Sequence, residues 1–213
     1  MPYKLSPSAL KLIGECPRCF WLDKHGVWKR PSGIFPSLPS GMDRVLKEHF
    51  DRFRDQGKMP PELASLKGYK LFDDVELLKV WRSNFKGIRW KDENGNELFG
   101  AVDNILVKGG KLVVLDYKTR GFALKEDTAD TYQTQLDIYN FLLRKNDYET
   151  EGYAYLLFYI PKEVTETGEV IFDVQTVKMD VNPENGRAVF LNALKMLNEE
   201  CPQDTCEWCE RIK

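Results

Sequence analysis

Asp103, Asp116 and Lys118 stand in a run that reads LFGAVDNILVKGGKLVVLDYKT between Leu98 and Thr119. A Gly-Gly pair between apolar and β-branched segments signals a hairpin, because both glycines accept positive φ. With Gly109 and Gly110 as the loop, Lys108 faces Lys111. Counting outward sets Asp103 opposite Asp116, with Lys118 two residues further along the same face. Directly opposed side chains bring their Cβ atoms to roughly 4.5–5.5 Å, where like charges repel. Solvated acids on an exposed hairpin would tolerate this, but Leu112 and Val114 share the face of Asp116, which is apolar until Lys118. The pair therefore requires a cation. Two carboxylates suit Mg²⁺ or Mn²⁺, and an adjacent ammonium can orient a nucleophilic water or offset developing negative charge. The chemistry this predicts is metal-assisted hydrolysis of a phosphodiester.

A second constellation is made of sulfur. The chain has five cysteines, Cys16 and Cys19 in CPRC, then Cys201, Cys206 and Cys209, the last two in CEWC. Each Cys-x-x-Cys pair can bring two thiolates to one metal centre. In a reducing compartment such clustering reads as metal ligation rather than as disulfides. Pairs so far apart would fasten the chain like a clasp.

Several elements must position these groups. Ser6-Pro7-Ser8 precedes ALKLIGECPRCFWL, whose Leu10, Ile13, Phe20 and Trp21 suit a helix that starts at a serine cap. Val27 to Gly41 reads as a Pro-, Ser- and Gly-rich loop in which Lys29 and Arg30 are either phosphate contacts or a solvated turn. Met42 to Arg54 has helical spacing in Val45, Leu46, Phe50 and Phe53, with His49 on the same stripe. Asp73 to Phe85 predicts a packing helix with Val75, Leu78 and Trp81 inward, and Thr131 to Lys145 another, on which Gln135 and Tyr139 lie one turn apart. Gly152 to Ile160 and Val170 to Met179 read as strands, and Pro183 to Glu200 as a last helix. The order predicts an α/β fold in which helices flank a central mixed β-sheet. We expect residues 1–213 to form a single domain, with a helical part over 1–90, a core over 91–182, and a helix and cysteine tail over 183–213.

The order of these motifs resembles a family. GAVDNIL and LDYKT resemble the second and third motifs of the PD-(D/E)xK nuclease superfamily, and QTQLDIY resembles the Gln-x-x-x-Tyr motif of its RecB-like branch. The likeness runs from about Leu5 to the C-terminus. It implies a restriction-endonuclease-like core and DNA as substrate, cleaved by an exonuclease acting on ends or single strands in repair, recombination or defence. A non-catalytic nucleic-acid-binding or assembly subunit that keeps the fold is the alternative. By this resemblance Asp103 and Asp116 bind Mg²⁺ or Mn²⁺ with the Tyr117 carbonyl and His49, Glu48 and Asp43 being rivals to the histidine. Lys118 positions the attacking water, and Gln135 and Tyr139 touch that water or a DNA phosphate. The branch usually places its histidine four residues after a glycine, a position that follows Gly41 here and holds Val45. The Cys-Pro step after a serine-capped helix resembles the iron–sulfur nucleases of helicase-associated and CRISPR-adaptation types, which implies a [4Fe–4S] cluster. One early and three late ligands would be Cys16, Cys201, Cys206 and Cys209; matched spacings favour Cys16, Cys19, Cys206 and Cys209. Zn²⁺ would use the same ligands.

Composition limits the partners. With 31 Lys and Arg against 33 Asp and Glu, the net charge of −2 offers no global attraction to a polyanion, so DNA binding must be local. No apolar run approaches the ~18 residues of a membrane span. The N-terminal residues lack the apolar stretch of a signal peptide, and a cytoplasmic protein without a membrane partner is expected.

Overall fold

In the computed structural model, which describes residues 2–212, strand β1 (Lys4–Leu5) leads into helix α1 (Pro7–Glu15). The Ser6 hydroxyl caps α1 by accepting from the Ala9 N–H at 3.3 Å, a contact that contributes about 1 kcal/mol. The helix stops at Cys16, which is extended at φ −164° and ψ 107°. Pro17 is the cause, since proline disfavours helical backbone in the residue before it. Helix α2 (Pro17–Lys24) then restarts, so two helices replace the one that the apolar spacing predicts.

Helix α3 (Ser37–Asp55) begins inside the stretch expected as loop. Its inward residues are Leu46, Phe50 and Arg54, while Val45 is 41% exposed. Strand β2 (Tyr69–Leu71) follows, then α4 (Val75–Trp81), which is shorter than expected. Asp74 caps α4 by accepting from Leu77 N–H at 2.9 Å. The remaining elements are β3 (Ile88–Lys91), β4 (Glu97–Gly100), β5 (Asn104–Lys108), β6 (Lys111–Thr119), α5 (Gln133–Lys145), β7 (Tyr153–Val164), β8 (Val170–Asp180) and α6 (Pro183–Leu197).

The central mixed sheet has the order β2-β5-β6-β7-β8, parallel only between β6 and β7, and β1-β4-β3 form a smaller sheet. Gly109 and Gly110 turn the hairpin with φ of 55° and 86°, as a two-residue turn of this hand requires. Lys108 pairs with Lys111 and Asn104 with Leu115, the expected register. The expected first strand is split, however, because β4 belongs to the smaller sheet and Asp103 lies on the connection just before β5.

Alternation along β6 builds two layers. Val113, Leu115 and Tyr117 pack with Leu46 and Phe50 of α3. Leu112 and Val114 face the other way, into a core with Leu136 and Leu142 of α5 and Phe190 and Leu194 of α6. Helix α5 crosses from β6 to its parallel partner β7, so its first turn is placed near the carboxyl ends of those strands, where open α/β sheets form crevices. Gly186 lets α6 approach closely, since a Cβ there would lie 2.8 Å from the Asp137 carbonyl oxygen. The buried Asp137 carboxylate fixes the same contact, accepting from Asn182 N–H at 2.8 Å and Asn185 at 2.6 Å. Among the described residues no helix is long and apolar enough to cross a membrane.

Candidate active site and cysteine centre

Asp103 and Asp116 meet at the carboxyl end of β6. Asp103 Oδ2 accepts from the Tyr117 N–H at 2.9 Å, and Asp116 is 2% exposed. The Lys118 ammonium lies against Asp116 as an ion pair. The oxygen it meets, Asp116 Oδ2, is buried, and that ammonium is its polar neighbour. From α3, Lys47 Nζ reaches Asp43 at 2.8 Å and Asp103 Oδ1 at 3.3 Å. Three carboxylates therefore share two ammonium groups. Burial pushes the Asp103 carboxyl above the usual carboxylate range, and the Asp116 charge adds to the rise. Burial likewise raises Asp116 against the pull of Lys118, and raises Asp43 against the pull of Lys47. For Lys118 burial acts downward, but Asp116 and Asp103 outweigh it and hold the ammonium charged. Three clustered carboxylates held by two ammonium groups leave an excess of negative charge that suits a hard divalent cation.

Gln135 and Tyr139 reach the same place from α5. Lys118 Nζ donates to Gln135 Oε1 at 3.3 Å, and Gln135 Nε2 donates to the Tyr139 hydroxyl at 2.7 Å. Burial first, then the two acids, push the Tyr139 phenol well above its ordinary range, so it stays protonated. Its ring packs on the backbone of Gly100, where a Cβ would come within 2.7 Å of Tyr139 Cε1. That contact explains why a glycine stands three residues before Asp103.

The candidates on α3 separate. Asp43 is held beside Asp103 through Lys47. Glu48 is exposed and pairs with Arg44 at 3.2 Å. His49 Nε2 lies 2.9 Å from Glu62 Oε1, and its ring meets the edges of Phe50 and Phe53. The apolar-stripe placement of His49 fits that packing, but its near neighbour is Glu62 rather than either hairpin acid.

Behind the acids lies a network with no short-range sequence signal. Arg82 Nε donates to the Asp103 carbonyl at 2.7 Å, and its Nη1 grips Asp51 at 2.9 and 2.8 Å. Arg54 pairs with the same Asp51 and donates to Asn104 Oδ1 at 2.6 Å. Asn104 donates to the Tyr117 hydroxyl at 2.6 Å. The backbone on both sides of the Asp103–Asp116 contact is thereby held by buried, charge-assisted hydrogen bonds. A run of Arg, Asp and Asn scattered over three elements gives no spacing by which to find it.

At the other centre the sulfur atoms of Cys16, Cys19, Cys206 and Cys209 all lie within 4.8 Å of one another. Cys16 and Cys209 are 3.8 Å apart, Cys19 and Cys206 3.5 Å, and Cys206 and Cys209 3.8 Å. These thiols can hold a metal, and they link the N- and C-terminal segments. Cys201 stays outside, its sulfur 3.6 Å from Arg18 Nη1. The Pro17 break is what turns Cys16 toward α2, with its Sγ accepting from Cys19 N–H at 3.4 Å. Arg30 belongs to this centre rather than to a phosphate path, with Nη1 on Glu15 at 2.7 Å and Nη2 on Cys206 Sγ at 3.7 Å. Lys29 is exposed. Burial pushes the Cys19 thiol up to about 12 despite Arg30. For Cys206 burial also acts upward, but the Trp208 and Cys209 N–H groups and the sulfurs of Cys19 and Cys16 bring it down to about 6.

A family model for the PD-(D/E)XK nuclease superfamily matches residues 4–212. The chain belongs to that superfamily. The solved structure titled "Crystal structure of SSO0001" is similar over 91% of this chain and 89% of that one, at 14% identity and a TM-score of 0.34. No curated protein matches the chain.

Proposed function

We propose that the protein is a divalent-metal-dependent DNA nuclease of RecB-like type that acts on DNA ends or single strands. The observation that carries this reading is the convergence of Asp43, Asp103 and Asp116 on Lys47 and Lys118, three carboxylates against two ammonium groups. Asp103, Asp116 and the Tyr117 carbonyl would hold Mg²⁺ or Mn²⁺, with Asp43 in place of His49 as the ligand from α3. A bound cation would polarise the phosphate and supply a water-derived nucleophile near neutral pH. Lys118, held charged by the two acids, orients water and offsets charge on the phosphate. Gln135 fixes Lys118 from one side and hands a hydrogen bond to Tyr139, whose hydroxyl stays a donor. Lys47 holds Asp43 and Asp103 together until a cation displaces it.

The cysteine centre carries a different metal in this reading. Four thiolates around one Zn²⁺ at about 2.3 Å stand about 3.8 Å apart, close to the 3.5 to 3.8 Å of three pairs here, with all four sulfurs within 4.8 Å of one another. A [4Fe–4S] cube places sulfides and irons between its thiolates and spreads them well beyond contact. The geometry supports structural zinc over the iron–sulfur cluster that the resemblance implies. Aerobic and anaerobic purification followed by metal analysis distinguishes them: one colourless zinc per chain is expected, and four irons with a brown chromophore would restore the cluster. Nuclease function is tested with end-labelled linear and circular DNA, single- and double-stranded. Cleavage should need Mn²⁺ or Mg²⁺, stop in EDTA, and favour linear single strands. Tight DNA binding without metal-dependent cleavage would point instead to a non-catalytic binding subunit.

A further inference from the structure

Helices α1, α5 and α6 line an open cavity of about 610 Å³. Leu10, Ile13, Val189 and Met196 make apolar walls, and Ser8, Lys11, Thr134 and Asn192 add polar groups. The cavity is joined to the acid site through shared side chains. Tyr132 lines both this cavity and the 240 Å³ recess that holds Asp43, Tyr117 and Lys118. Gln135 lines it too, while accepting from Lys118. Lys118 Nζ lies 4.5 Å from the centre of the Tyr132 ring, so one aromatic ring separates the cavity from the ammonium beside Asp116.

The lining selects the occupant. A phosphate could pair with Lys11 at the exposed side but would lose its hydration against the aliphatic walls, whereas a flat heteroaromatic group gains from those walls and can use the polar side chains at its edges. The volume falls in the range of about 300–1,000 Å³ typical of small-ligand sites. We infer that this cavity receives the unpaired nucleobase of the nucleotide adjoining the phosphate cut at the acid site, with Tyr132 as the partition between base and phosphate. The inference rests on the nuclease reading and adds its substrate class. A base stacked and paired within a duplex cannot enter without being extruded from the stack. Single-stranded ends enter freely.

Binding of labelled single-stranded oligonucleotides, measured with Ca²⁺ in place of Mg²⁺, tests this without any mutation. One abasic site is moved through the strand, and at one position its affinity should fall roughly 10-fold, the scale of losing one base contact. Asn192 is exposed, so Asn192→Trp can close the mouth without touching the core. That variant should lose the abasic penalty and cut single strands more slowly, with Mn²⁺ affinity at the acids unchanged. Equal affinity for every abasic position, or wild-type cleavage by Asn192→Trp, would overturn the inference. If Asp116→Ala abolishes cleavage while no base position matters, the nuclease reading survives and the base site falls. If base discrimination is found without Asp116-dependent cleavage, the cavity binds bases and the nuclease reading falls. A chain that binds no DNA overturns both.

Discussion

The acid site and the cysteine centre both gather groups that repel one another, yet their surroundings treat the repulsion in opposite ways. Around the cysteines the chain closes in. Cys19 and Cys209 are fully buried, and Arg18 and Arg30 seal the rim. Around the acids a recess stays open, and three carboxylates remain against two ammonium groups. Closed ligand sets are built for stability and open ones for chemistry. One fold thus holds a centre that stabilises it and a centre that it must stabilise.

That contrast is broken most completely by Asp116→Ala. Metal-dependent cleavage should fall by at least about 100-fold, with a circular dichroism spectrum like that of wild type. A variant cutting at the native rate would falsify the assignment of catalysis to this pair. Cys209→Ser is the matching test on the other side. Cross-linking residues 193 apart restricts the unfolded chain by about 5 kcal/mol if both cysteine pairs keep the metal, so thermal unfolding should show a loss of that order. Cleavage per folded molecule should persist at low temperature. Equal melting temperatures for Cys209→Ser and wild type would remove the stabilising role.

Finer comparisons sharpen the roles on α3. Asp43→Asn should raise the Mn²⁺ concentration needed for half-maximal cleavage about 10-fold, whereas His49→Gln should leave it within about twofold and act on stability alone. The reverse result would return the ligand role to His49. The smallest effect concerns protons. Asp116 has its pKa raised in the fold by burial, so its contribution to stability is complete below the unfolded carboxylate value and is lost as pH rises through the folded one. Metal-free Asp116→Asn should therefore be more stable than wild type at neutral pH, and the gap should close as the solution is acidified. A gap that widens in acid would contradict the buried, destabilised carboxylate.

Much of this was legible in the chain because it depends on short-range geometry. Gly109-Gly110 dictates the register that opposes Asp103 and Asp116, and the matched Cys-x-x-Cys spacings pick the four sulfurs that converge. Asp43 and Lys47 were harder to see, since an i,i+4 acid–lysine pair looks the same on a solvated helix face. A lone histidine on an apolar stripe reads alike as a packed residue or a ligand, and the neighbour that distinguishes His49, Glu62, comes from outside the helix. The start of α3 at Ser37 was hidden by Pro39 and Gly41, which read as loop but lie in its opening turns. Arg54 and Arg82 support the acids through contacts that only the folded chain creates.

The separation of Cys16 from Cys209 also orders events during synthesis. Cys19 is made 187 residues before Cys206, so the first pair waits for the second while everything between them is synthesised. No polypeptide interrupted before Cys209 can complete the four-sulfur set, so metal uptake reports that translation has passed that codon. A nascent chain stalled between the two pairs would carry Cys16 and Cys19 without their partners.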